Sequence, residues 1–155
     1  MGRVNIKLKW LDGADQSVGL PSYETGGAAG ADVRANFPPE QRAGLRLAPG
    51  LRALIPTGLS LEIPTGYEVQ MRPRSGLALK QGLTLPNSPG TIDSDYRGPL
   101  GVIVLNAGLE TIEISHGMRI AQMVVAPVVV ADFELDQELS ETERGTGGFG
   151  STGVS

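Results

Sequence analysis

The sequence predicts an all-β domain, a sandwich or barrel of short strands, and three observations carry that expectation. Residues 45 to 72 read LRLAPG, LRALIPTG, LSLEIPTG and YEVQMR, each a short apolar alternation and the first three closed by Pro-Gly or Thr-Gly. Short period-2 segments about 8 to 12 residues apart with turn signals between them are the pattern of such folds. Gly and Pro together make 33 of 155 residues, about a fifth, which favours many turns over long helices. Only one stretch, PRSGLALKQGL from residue 73, has an apolar spacing that suits a helix, and that helix must be short.

The elements follow in order. Val4 to Trp10, VNIKLKW, alternates cleanly and predicts a first strand with one buried face rather than a signal peptide. A long Gly- and Pro-rich loop then leads to a second strand near Ala31 to Ala35, entered through GGAAG, where small residues let the backbone approach something closely. Four strands are expected over 45 to 72, with the two IPTG copies at 55–58 and 63–66 as two similar turns. In YEVQMR, Tyr67, Val69 and Met71 face one way while Glu68, Gln70 and Arg72 face the other. Ser75 is the expected N-cap of the helix, whose first turn serves either as a plain cap or as an anion site. A hairpin, GTIDSDYRG at 90 to 98, precedes three more strands, LGVIVLN, LETIEIS and the long apolar RIAQMVVAPVVVADFEL. The remainder turns acidic, DQELSETE, and ends RGTGGFGSTGVS, a composition that predicts a flexible arm.

Composition excludes several classes of function. With 40% hydrophobic and 19% charged residues, the chain has the balance of one globular domain. No cysteine means no disulfide framework, no thiolate zinc site and no cysteine nucleophile, which suits a reducing cytoplasm. One histidine, His116, argues against a zinc-activated water. A net charge of −4 and a pI near 5.0 oppose a long nucleic acid as ligand, so any anion site must be focal. No run approaches the length of a membrane span, and the expectation is a soluble, unexported protein. Neither a Gly-Lys-Ser/Thr loop nor a GxGxxG turn occurs, and His116 alone cannot supply a Ser-His-Asp triad.

What remains is a carboxylate, several arginines, a serine and a glutamine at strand ends. In GTIDSDYRG, Ile92 and Tyr96 are of the kind that face inward, while Asp93, Asp95 and Arg97 are held where the backbone turns. By itself the stretch also reads as a turn whose Asp residues bond their own backbone. Together the groups suit water attack on a phosphoester: Asp as base, with arginines and a hard metal ion holding charge. Arg119 and Gln122 head an apolar strand from which polar groups can project into a cleft. In the tail, Arg144 can pair with a phosphate and Phe149 can stack on a base.

Five segments in order give the chain a family resemblance: AGADVRA at 29–35, RPRSGLA at 72–78, NSPGTIDSDYRG at 87–98, GMRIAQMVV at 117–125 and RGTGGFGSTG at 144–153. On these, which span nearly the whole chain, it resembles the homotrimeric dUTP pyrophosphatases, or dUTPases. The resemblance implies a distorted jelly-roll β-sandwich over residues 1 to 143, with a flexible arm, 144 to 155, closing over an active site. It implies a homotrimer with three sites at subunit contacts, and dUTP as the ligand. The reaction implied is hydrolysis of dUTP to dUMP and pyrophosphate, assisted by magnesium, which keeps uracil out of DNA and supplies dUMP for thymidylate synthesis.

Carried over by motif, Asp93 is the base that activates water for attack on the α-phosphorus, and Tyr96 lies under the deoxyribose. Asn87, with Gly90, Thr91 and Ile92 beside it, meets uracil and sugar. Ser75 contacts the phosphate chain, Arg74 and Gly76 shape that turn, and Gln122 reaches a phosphate. From the tail, Arg144 grips the γ-phosphate and Phe149 covers the uracil, with Gly150, Ser151 and Thr152 adding contacts. Asp32 supports the arginine and metal-water network, and magnesium is held by phosphates and water rather than by side chains. Pro99 stands where many relatives carry a polar residue, with little catalytic consequence expected. Two rivals remain: a dCTP deaminase-related enzyme, for which no glutamate stands near RPRSG, and a dUTP-binding regulatory protein.

Overall fold

The computed structural model describes residues 2 to 149, and ten strands, one α-helix and two short 3-10 turns make up its elements. One antiparallel sheet has the order β1 (Lys7–Trp10), β4 (Arg52–Glu62), β8 (Pro99–Asn106) and β6 (Leu83–Thr84). A second has the order β2 (Ala31–Arg34), β10 (Arg119–Pro127), β5 (Tyr67–Arg72) and β7 (Gly90–Ile92), and β3 (Leu45–Leu47) pairs with β9 (Ile112–Ile114). Alternation decides which face is buried: Ile55, Leu59 and Leu61 of β4 and Leu100, Val102 and Val104 of β8 point inward. Ile55, Leu61 and the three β8 residues join Val33, Val69, Met71, Ile120 and Met123 of the other sheet in one cluster. Each such side chain contributes about 1.5–3 kcal/mol by leaving water. No helix among the described residues is long and apolar enough to cross a membrane.

Five local expectations change. The first IPTG is no turn: Arg52 to Glu62 is one strand, and its register against β8 slips between Pro56 and Ser60. Gly58 takes φ +71° there, Asn36 N–H donates to the Pro56 carbonyl and Leu11 N–H to the Gly58 carbonyl, so the irregularity is absorbed as a bulge. The second IPTG does turn, between β4 and β5. GTIDSDYRG is not a hairpin, because β7 pairs with β5 in one sheet and β8 with β4 in the other, so the turn crosses between sheets.

Helix α1 (Ser75–Gln81) begins at Ser75 itself; Arg74 is the N-cap, and no side chain caps it. Tyr96 is 42% exposed and does not enter the core, whereas Ile92 packs against it. The long apolar run stops being strand at Pro127, where β5 also runs out, since Pro127 pairs with Tyr67. Beyond it Val129, Val130, Phe133 and Leu135 stand almost fully exposed.

His116 has a structural task. Phe37 N–H donates to its Nδ1 at 3.1 Å, which leaves Nε2 to carry the proton toward Asp15 Oδ2 at 3.0 Å. Asp15 also accepts from Ser17 and sits near Arg42; the Ser17 hydroxyl first, then His116, lowers its carboxyl from 3.8 to about 2.

Candidate active site

Two clefts hold the predicted residues, one beside β2 and β10 of the second sheet and one where β7 of that sheet meets β4 and β8 of the first. The first, about 570 Å³, is lined by Asp32 of β2, Arg74, Ser75, Gly76 and Lys80 around α1, Arg119 and Gln122 of β10, and Glu24 from the long loop. Asp32 is only 8% exposed and holds two guanidiniums: Arg74 Nε donates to Oδ1 and Arg119 Nη1 to Oδ2, both at 3.1 Å. Glu24 Oε2 lies 3.3 Å from the same Arg119 nitrogen. Strand pairing sets Gln122 between Asp32 and Arg72, and its Nε2 donates to the Pro73 carbonyl at 3.0 Å. Gly30, entering β2, has no Cβ because the Gln122 side chain occupies that space. Two fixed arginines around one shared carboxylate leave N–H groups for an anion.

A shallow groove of about 440 Å³ continues this cleft past Ser75 and Gln122 to Ser88 and Pro89. The second cleft, about 260 Å³, is lined by Asn87, Thr91, Ile92, Asp93 and Tyr96 with Leu54, Pro99, Gly101 and Ile103. Gly90 is buried behind it, against the Asn87 side chain. Asp93 is exposed, and among the described residues nothing bonds its carboxylate, whereas Arg97 folds back onto the Ser94 and Tyr96 carbonyls at 2.6 and 3.0 Å. The cleft is therefore apolar on one wall and carries one free carboxylate.

Within one chain the two clefts do not converge. Ile92 pairs with Val69, three residues from Arg72 on β5, which is about 10 Å of strand. Asp93 lies beyond one end of that interval, and Arg74 and Ser75 beyond the other. Leu54, Pro99, Gly101 and Ile103 had no sequence signal as site residues, because they are ordinary strand residues that reach the cleft by the pairing of β4 with β8. Glu24 and Lys80 were likewise missed, being plain loop and helix charges until folded. Arg144 lies in a turn, its Nε donating to the Gly147 carbonyl at 2.8 Å, and Phe149 is exposed. Gly150, Ser151 and Thr152 lie outside the described residues.

A focal cationic cleft and an aromatic-walled apolar cleft on a β-scaffold define a binder of small anionic ligands with a ring, the nucleotide-binding class. Comparison narrows this: the dUTPase family model matches residues 16–153. The chain is 69% identical to the deoxyuridine 5'-triphosphate nucleotidohydrolase of Roseobacter denitrificans over 99% of each chain, and 56% identical to that of Bdellovibrio bacteriovorus, again over 99% of each. The dUTPase of Staphylococcus bacteriophage 80alpha, solved with dUpNHpp, superposes with a TM-score of 0.83 at 27% identity, covering 97% of this chain and 99% of that one. The chain belongs to the dUTPase family.

Proposed function

We propose that this protein hydrolyses dUTP to dUMP and pyrophosphate, and that Asp93 activates the water that attacks the α-phosphorus. The observation that carries the reading is the 69% identity, end to end, with a deoxyuridine 5'-triphosphate nucleotidohydrolase. In this reading the cleft of Asn87, Thr91, Ile92 and Tyr96 takes the nucleoside, its backbone groups matching uracil and leaving cytosine's amino group unpaired. Tyr96 fills the space a 2′-hydroxyl needs. Arg74, Arg119, Ser75 and Gln122 take the phosphates, and the exposed Asp93 carboxylate holds the water. Removal of dUTP keeps uracil out of DNA, and the dUMP formed supplies thymidylate synthesis.

Among the described residues no three His, Cys, Asp or Glu side chains gather, and Asp32 is already shared by two guanidiniums. That donor set would leave magnesium to be held by the triphosphate and water, with Asp32 the carboxylate that would support the arginine and metal-water network. When bound, the ion offsets phosphate charge and draws electrons toward the leaving group.

Sites shared in a homotrimer account for the separation of the clefts, one subunit presenting Asp93 and Tyr96 and its neighbour the arginine cleft. The exposed apolar run after Pro127 is the kind of surface that a neighbouring subunit covers. The tail from Arg144, with Phe149 to Thr152, closes over the filled site. Offering dUTP, dCTP, dTTP and UTP separately tests the reading. Pyrophosphate and dUMP from dUTP alone support it; ammonia from dCTP, or binding of dUTP without turnover, refutes it.

A further inference from the structure

Thr57, in the first IPTG tetrapeptide, lies outside all five segments that resemble the family, and its surroundings give it a task. It is 2% exposed, in the bulge where residues 56 to 60 of β4 oppose only 99 to 101 of β8. Its Oγ1 donates to the Leu100 carbonyl at 2.7 Å, across the register slip. One residue back, the Pro99 carbonyl accepts the Tyr96 hydroxyl at 3.0 Å. A Cβ on Gly98 would overlap the Tyr96 hydroxyl and ring, so the tyrosine packs back against its own loop. Both Pro99 and Tyr96 line the apolar-walled cleft.

We infer that Thr57 is a positioning residue for Tyr96 and, through it, for the choice of deoxyribose over ribose. This deepens the function proposed above and rests on Tyr96 being the sugar wall. The ring rests on Gly98 but is 42% exposed, so packing alone leaves its place to be completed by what holds its hydroxyl. That anchor is the first residue of β8, where regular pairing gives way to the bulge. A hydroxyl buried between the strands fixes the next peptide, because no water reaches it to take over the bond. Excluding a single oxygen atom requires the wall to be held within about 0.5 Å. Thr57 therefore acts at a distance from the sugar, through Leu100, Pro99 and Tyr96.

The test compares assembled wild type with Thr57→Val, Thr57→Ser and Tyr96→Phe, measuring kcat and KM for dUTP and for UTP. Thr57→Val removes the hydroxyl at nearly constant shape. Its ratio of kcat/KM for dUTP over UTP falls roughly tenfold, with kcat on dUTP within about threefold of wild type, the scale of a small misplacement remote from the chemistry. Thr57→Ser retains the wild-type ratio. Tyr96→Phe cuts the last bond and lowers the ratio by a similar factor, and the double variant Thr57→Val Tyr96→Phe loses no more than either single one. An unchanged ratio in Thr57→Val, an equal loss in Thr57→Ser, or additive losses in the double variant overturns the inference. Thr57→Ala replaces Thr57→Val if the latter does not assemble, with the same expectation. Failure of both to assemble makes Thr57 a folding residue only and overturns it as well. A wild-type enzyme with no preference for dUTP over UTP refutes the site reading itself; a preference that survives loss of the hydroxyl refutes only the role of Thr57.

Discussion

Two inactive variants, one in each cleft, should restore activity when mixed in one assembly. Asp93→Asn removes the proposed base and should lose about a hundredfold in turnover. Arg74→Gln removes one guanidinium from the phosphate cleft and should lose a similar factor, about a hundredfold, while Arg119 still holds Asp32. The register of β7 on β5 separates the two positions by about 10 Å of strand on one chain, and under the proposed shared site each intact site draws Asp93 from one chain and Arg74 from its neighbour. In a threefold ring containing both variants, whichever is in the majority, one site in about three joins a good Asp93 to a good Arg74. Co-expression with two tags, tandem purification and native mass measurement isolate such mixed trimers, and pyrophosphate release reads their activity. About a third of wild-type turnover is expected, against about a hundredth for either parent. Mixed trimers as inactive as their parents would refute the shared site, because a site within one chain is damaged in every subunit.

Other perturbations address single contacts. Tyr96→Ala should admit UTP, measured as a rise in kcat/KM for UTP relative to dUTP; an unchanged ratio assigns sugar choice to another group. Asp32→Asn leaves two guanidiniums short of one acceptor in a nearly buried place, and should cost about 2 kcal/mol, read as a lower urea midpoint at constant slope. A midpoint equal to wild type would contradict that account. Asp15 binds fewer protons folded than unfolded, so its contribution is present above pH 3.8 and fades as pH falls toward about 2. Asp15→Asn should flatten the pH dependence of the urea midpoint across that window, and an unchanged slope there would show that Asp15 is no part of acid unfolding. A chain ended before Arg144 should keep its thermal midpoint yet lose at least about tenfold in turnover; full activity would make the tail dispensable.

The sequence by itself determined the strands of clearest alternation. YEVQMR became β5 with Val69 and Met71 buried as expected, and LGVIVLN became part of β8, because burial of every second side chain is a property of the local pattern. It also marked the one short helix and the segments that carry the family. Tertiary structure decided what depends on partners. The first IPTG continues a strand because Leu11 and Asn36, remote in sequence, take the Gly58 and Pro56 carbonyls. The apolar run to Leu135 ends as strand at Pro127 because β5 ends there, which no alternation within 119 to 135 records. Asp93 was legible as a chemical group, but its place beside Leu54 and Ile103, and far from Arg74, follows from which strands pair. Pairing is set by long-range hydrogen bonds and shared burial between segments tens of residues apart, and a linear pattern specifies each segment's faces without naming its neighbour.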